Sequence, residues 1–407
     1  MKLKTERMGY EECVGVSRLL LSLIGVWPQS HGKGNFFKRN YVFVTPTMIF
    51  FILIVPQVRK LLYIWRDLNA VVDILSIGLI IVIICFLKFL RVWCNYADFN
   101  VLLKSVHNDW KIATENEQIL MWKYARYSRL VATVSICSLL SNCHLLHTWA
   151  IVQYHFDLKS LCENETMDRP FAMEMDYYFD VQSTPVYEIM CLLIYLAIIS
   201  ACLIYAGYDS VFVLLMLHYT ALFNNLRVKV ENLVEDQMAK QCSFVDVLVP
   251  LINRHQYLCR YTSLVEKNFN GVFLVQILFT SIHLCLQGYE FVVVISKNGL
   301  KELPQLLFII FYVFTSLFSL FIYCFISEQL RIQSGDLYTS IYKVNWYELF
   351  PYESKLLLLM MIRTENPVNI TAGKFAILSL EYFCKVLKSC ASFFSVLLAM
   401  RDNVINN

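Results

Sequence analysis

Charge is what this chain has least of. Only 16% of its 407 residues are Asp, Glu, Lys or Arg, against 57% hydrophobic, and mean hydropathy is +0.52. Soluble domains carry about 25% charged and roughly 45–50% apolar residues, so an ordinary water-solvated globule is excluded and lipid is the expected solvent. The charge that is present nearly cancels, at a net +3. That removes the basic footprint nucleic-acid binding requires. Metal chemistry is equally short of material. The 14 cysteines form no CxxC and no Cys/His set at ligand spacing. Most, such as Cys85, Cys137, Cys202 and Cys324, lie inside apolar runs, where they pack as small soft residues rather than as a disulfide framework. With no nucleophile, metal set or cofactor loop, no catalytic residue, metal or cofactor is expected. A cleavable signal peptide is not expected either. After Lys2, Lys4 and Arg7, the run LLLSLIGVWP at 19–28 is too short to span and lacks a small-residue cleavage site. It reads as an interfacial or re-entrant segment.

What is abundant is long apolar sequence. A bilayer core of ~30 Å needs roughly 20 apolar residues in a helix. Seven windows meet or approach this: 41–58, 71–94, 129–153, 186–215, 268–295, 304–328 and 375–400. The first is the shortest and carries Pro46 and Pro56, which membrane helices tolerate when neighbouring groups satisfy the freed carbonyls. Placing the N-terminus in the cytoplasm puts 22 Lys/Arg in the inside segments and 8 in the outside ones, the positive-inside arrangement. The acidic loop 154–185 is then extracellular, as its glycosylation sequon Asn164-Glu165-Thr166 requires. A second sequon, Asn369-Ile370-Thr371, falls inside and is expected to stay unmodified.

The expected fold is therefore an all-α membrane protein with seven transmembrane helices, N-terminus cytoplasmic and C-terminus extracellular. Helices 1–4 occupy 41–215 after a cytoplasmic N-terminus at 1–40, and helices 5–6 occupy 268–328. Between them, 216–267 has little turn chemistry. Leu222, Phe223, Leu226, Val230, Leu233 and Val234 share one helical stripe, and Val245, Leu248, Leu251 and Ile252 form a second, with Pro250 as a kink. This is either a self-contained helical hairpin or an oligomerisation layer. Segment 329–374 reads as a docking helix around LLLLMM at 356–361, then a linker broken by Pro367 and Gly373. The last helix spans 375–400 and leaves a tail at 401–407.

Three stretches carry a family likeness: Asn345-Trp346-Tyr347-Glu348-Leu349 with Lys355, the LLLLMMIR run, Pro367 and Thr371-Ala372-Gly373; Ser379-Leu380-Glu381 with Leu387-Lys388 and Ser392-Phe393-Phe394; and Gly207-Tyr208-Asp209-Ser210 with Phe212 and His218. Taken in chain order, on a seven-span chain of inside-N topology, they resemble the insect odorant receptors nearly end to end. The resemblance implies a ligand-gated, non-selective cation channel in the plasma membrane of olfactory sensory neurons. In it, a tuning subunit joins a shared odorant co-receptor (Orco) in a heterotetramer held by a cytoplasmic anchor domain. The implied partners are that co-receptor, a small volatile organic ligand, permeant cations and membrane lipid, with no nucleic acid. The chain lacks the long second cytoplasmic loop of the co-receptor, so it resembles a tuning subunit. Ser392-Phe393 and Ala399-Met400 stand where gustatory receptors carry Thr-Tyr and Gln-Phe.

On a helix, Lys385, Ser389, Ser392, Val396 and Ala399 or Met400 share one face. Intramembrane polar groups usually face a bundle interior or water. A pore-lining helix and simple close packing through small residues both fit the periodicity. The resemblance implies the pore, with Val396 and Met400 as narrow hydrophobic rings, Ala399 between them, and Ser389 and Ser392 below. It also implies a ligand pocket in the outer half of the bundle, and the residues there are Ser76 and Ile80; Asn142, Leu145, Leu146 and Trp149; Met190 and Ile194; Phe308, Phe311 and Tyr312. His144 and His147 read as satisfied bundle residues, and Asp209 and His218 as structural. A G-protein-coupled receptor would need the opposite orientation and an Asp-Arg-Tyr after the third span; a transporter would favour paired repeats. Neither pattern is present.

Overall fold

A chain this apolar leaves its backbone little water to bond with, and helices satisfy every main-chain group internally. The computed structural model describes residues 10–25, 27, 36–160, 169–241, 243–298 and 303–405. After α1 (Tyr10–Leu23), the first membrane rod has three parts. These are α2 (Phe36–Met48), a π-helical turn at Ile49–Ile54, and α3 (Val55–Ile64). Pro46 removes one donor from the hydrogen-bond ladder, and the widened turn follows three residues later. The second rod repeats the device, with α4 (Leu68–Ile74), a π turn at Leu75–Leu79 and α5 (Ile80–Cys94). Then come α6 (Tyr96–Ile112), α7 (Glu115–Ser160), α8 (Val186–Glu231), α9 (Leu233–Lys240), α10 (Phe244–Asn298), α11 (Leu303–Lys343), α12 (Pro351–Thr364) and α13 (Leu380–Ile405).

Among the described residues, six helices are long and apolar enough to cross a membrane: Val42–Ile64, Ala70–Cys94, Glu115–Val152, Val186–Glu231, Phe244–Ser296 and Leu303–Lys343. The seventh expected span corresponds to α13, whose 26 residues extend ~39 Å at 1.5 Å per residue. Four of these helices far exceed the bilayer requirement. α7 and α8 have 46 residues each, α10 has 55 and α11 has 41. Each continues beyond the apolar window as the same rod, so one helix serves both the membrane bundle and the layer beneath it. In that layer Leu222, Phe223, Leu226, Val230, Leu233 and Val234 are all buried. The helix assignment of α10 passes through Pro250 without a break.

α8 is the hub, touching α1, α5, α7, α10 and α11. From Tyr205 to Phe223 every residue is buried. The stretch is apolar apart from Asp209, Ser210, His218 and Thr220, and a helix apolar on most sides is covered on most sides. The cover is largely aromatic: Phe212 meets Phe273 at 4.7 Å, and Tyr208 meets Phe269 at 4.8 Å.

The last helix starts later than the apolar window suggests. Residues 371–377 form a small antiparallel hairpin, with Thr371 opposite Ile377 and Ala372 opposite Ala376. Gly373 turns it at φ 60°, and its N–H donates to the Asn270 carbonyl at 2.9 Å. A Cβ there would meet the Leu274 side chain at 2.5 Å, so both the conformation and the close approach to α10 require glycine. Ser379 then caps α13, its Oγ accepting the Tyr382 N–H at 3.1 Å.

Candidate functional site

Two places on the bundle bear on function: a cavity among α5, α7, α8 and α11, and the uncovered face of α13.

The cavity is small, with a volume of about 70 Å³. Four of the eleven sequence-selected pocket residues line it: Asn142, Leu146, Phe308 and Tyr312. Trp149 stands one layer behind, stacked on Phe308 at 6.5 Å with the rings 6° apart. Ile80 lines a smaller recess alongside, with Thr280, His283 and Ser316. Ser76 is buried, and its hydroxyl donates to Glu290 at 2.9 Å. Met190 and Ile194 are buried near the start of α8, outside the cavity wall; Phe311 is half-buried and Leu145 exposed. His144 and His147 are both bonded: Tyr195 Oη meets His144 Nδ1 at 3.0 Å, and His147 Nδ1 meets the Cys143 carbonyl at 3.0 Å.

Sequence reasoning missed the other twelve wall residues, of which Met173 and Tyr205 tie the cavity to the rest of the bundle. Met173 comes from the loop between α7 and α8, which folds onto the end of the first rod. Asp176 pairs with Arg59 at 3.0 Å and Glu174 with Lys60 at 3.4 Å. The Tyr177 hydroxyl donates to the Ile52 carbonyl at 3.0 Å. These ties seat Met173 against Gly78, where a Cβ would meet its sulfur at 2.8 Å, and Gln57 Nε2 donates to that sulfur at 3.1 Å. The available cue was the apolar run Phe171-Ala172-Met173 inside an acidic loop.

Tyr205 joins the cavity to a dehydrated polar network. Lys88 Nζ lies 3.3 Å from the centre of the Tyr205 ring and 2.7 Å from Asp209 Oδ1. The Tyr323 hydroxyl donates to Asp209 Oδ2. Gln276 Nε2 donates to Tyr205 Oη at 2.8 Å and Tyr323 Oη at 2.7 Å. Four helices, α5, α8, α10 and α11, are thereby tied at one level. A fully buried lysine persists only when paired in this way.

A second cluster lies outside the spans. Asp109 on α6 accepts from His218 Nε2 at 3.1 Å and from Arg254 at 2.8 Å. Burial by itself would raise the Asp109 carboxyl, but the hydrogen bonds and charges of His218 and Arg254 hold it below the ordinary carboxylate value.

α13 rests on α10 and α11. Val386 and Cys390 are buried, Cys285 Sγ donates to the Cys390 carbonyl at 3.5 Å, and Phe383 meets Phe321 at 5.7 Å. The opposite side is open: Lys385, Ser389, Ser392 and Ala399 are exposed, and Val396 is 55% exposed. The Ser389 hydroxyl donates to the Lys385 carbonyl at 3.0 Å, so it needs no partner helix. Lys385 pairs with Glu381 at 2.7 Å. Met400 is on the same helix, but its side chain lies outside the described residues, as does all of Asn164.

Comparison with known proteins bears on family and fold. A family model described as 7tm Odorant receptor matches residues 67–391. The chain is 23% identical over 184 residues to Odorant receptor 94a of Drosophila melanogaster, covering 45% of this chain and 46% of that protein. It is 22% identical over 152 residues to the odorant receptor coreceptor of Aedes aegypti, covering 37% and 30% respectively. These matches span about half, or less, of the curated relatives' length. Among solved structures, the olfactory receptor OR5 from Machilis hrabei in complex with eugenol superposes with a TM-score of 0.77 at 14% identity. That match covers 95% of this chain and 97% of the other and establishes likeness of fold.

Proposed function

The chain belongs to the 7tm odorant receptor family, a multi-pass membrane protein, and from that premise we propose that it is the tuning subunit of an odorant-gated, non-selective cation channel. Its partner in the heterotetramer is the odorant co-receptor, and its place is the plasma membrane of olfactory sensory neurons, N-terminus inside and Asn164 glycosylated outside. The observation that carries this reading is α13: its own chain covers the Val386 and Cys390 face and leaves the Ser389, Ser392, Val396 and Ala399 face bare. A helix at the axis of a tetramer has that pattern, with the bare face on water. Val396 and Met400 form the narrow rings, which close by dewetting, and the serines line the wetter stretch. Lys385 is neutralised by Glu381. α12 leaves Leu358, Leu359 and Ile362 exposed, a face suited to the anchor layer between subunits.

The ligand site is the cavity of Asn142, Leu146, Phe308 and Tyr312, backed by Trp149 and closed by Met173. Ligand occupancy gates only if it is more favourable in the open state. Tyr205 in the cavity wall is bonded to Gln276 of α10, the helix on which α13 rests, so a ligand that displaces Tyr205 acts on the support of the pore helix. Val396→Ala and Met400→Ala, each expressed with the co-receptor, are expected to change single-channel conductance or cation selectivity. Currents unchanged in both respects would remove α13 from the pore.

A further inference from the structure

The wall of the ligand cavity is almost wholly apolar, and one polar side chain in it is left half-satisfied. Asn142 is 6% exposed. Its Nδ2 carries two protons, and both are committed: one to the Ser138 carbonyl at 3.1 Å, the other to Thr315 Oγ1 at 3.0 Å. Thr315 cannot return a proton, because its own goes to the Phe311 carbonyl at 2.9 Å. The Ser138 carbonyl can only accept. Turning the amide over would set its oxygen against the Ser138 carbonyl and would make Thr315 give up its bond to Phe311 in order to donate, so the surrounding bonds favour nitrogen at this end. Oδ1 is the end left over. It is buried and has no hydrogen-bond partner among the described residues.

A buried acceptor without a donor is unfavourable, and a ligand can relieve that cost only by bringing a proton. We propose that this cavity selects apolar ligands carrying one hydrogen-bond donor, above all a hydroxyl, with Asn142 Oδ1 as the acceptor. Ketones, aldehydes, esters and ethers can only accept. Even where the Tyr312 hydroxyl in the same wall donates to such a ligand, Asn142 Oδ1 stays unpaired, and that remaining cost is how a polar site disfavours a near-isostere. The inference rests on the reading of this cavity as the ligand site. Thr315 acts as a positioning residue, since it holds the amide in the orientation that presents oxygen.

The test uses the full chain expressed with the co-receptor and matched odorants on shared skeletons: n-octanol, octanal, octyl acetate and octyl methyl ether, with benzyl alcohol and benzyl methyl ether. The readout is the ratio of half-maximal concentrations within one variant, which cancels expression. The wild type is expected to favour the alcohols about three- to tenfold, the worth of one neutral hydrogen bond. Asn142→Leu should bring the ratios close to one. Thr315→Val frees an Nδ2 proton, so the ether and acetate should gain on the alcohol; this variant decides the matter if Asn142→Leu fails to reach the surface. Ethers and esters equal to alcohols in the wild type, an alcohol preference that survives Asn142→Leu, or a panel in which no hydroxyl compound evokes current overturns the assignment. Leu146→Trp separates the two levels. If it fills the cavity and responses persist, the cavity is not the ligand site. If responses vanish while Asn142→Leu keeps its ratios, only the hydroxyl assignment falls.

Discussion

The two halves of α8 are made of similar residues and do opposite things. From Tyr205 to Phe223 no position is exposed, and the polar groups there are tied: Asp209 to Lys88 and Tyr323, His218 to Asp109, Tyr219 to Ser105. In the preceding half, burial is intermittent, at Met190, Ile194, Ala197, Ile198, Ala201 and Ile204, and the helix borders a cavity whose Asn142 carbonyl is unpaired. One half of the rod is built to hold helices together and the other to leave room. Close packing has no slack for a ligand, so on the proposed function the rigid and the occupiable parts are separated along the length of α8.

The contrast breaks most severely at the ion pair. Asp209→Asn strands Lys88 without a counter-charge, and the expected loss is about 3–5 kcal/mol, read as collapse of surface expression and of thermal stability. Asp209→Leu combined with Lys88→Met should recover much of that loss, because the stranded charge is then gone. A single-variant loss unchanged in the double variant would show that the pair is not what holds this level.

Next in size is a matched pair of truncations. Leu215→Ala, within the closed half, should lie toward the upper end of the about 2–5 kcal/mol known for buried Leu→Ala changes. Leu146→Ala, beside existing space, should lie at the lower end. Equal losses by thermal melting in detergent would erase the distinction between the halves.

The smallest effect is in acid. The folded Asp109 carboxyl sits below its ordinary value, so its contribution to stability is full above about pH 4 and is lost as pH falls through the lowered value. The melting temperature of the wild type should therefore fall more steeply than that of Asp109→Asn between about pH 5 and about pH 3. Parallel falls would show that the cluster adds no acid sensitivity.

Much of this was legible from residue order. The spans followed from apolar run length, and the stripe at Leu222, Leu226, Val230 and Leu233 from period, because a helix displays its burial pattern in one dimension. The bare face of α13 was legible for the same reason. The start of that helix was not: Gly373 is constrained by Leu274 and Asn270, about a hundred residues away in the chain, and only that contact forces the hairpin. The π turns were equally hidden. Of the pocket residues, Asn142, Leu146, Phe308 and Tyr312 reach the cavity while Leu145, beside Leu146, is exposed. Depth along a helix could be estimated from the sequence, but which residues converge on one space could not.

The sequence by itself determined the solvent and the secondary structure, because the scarcity of charge and the length of the apolar runs leave only helices in lipid. Tertiary structure alone decided where the bundle is closed and which polar atoms stay unpaired. The Asn142 amide is oriented by a hydroxyl 173 positions further along the chain. A hydrogen bond depends on direction as well as on residue type, and direction is settled only when the partners are brought face to face.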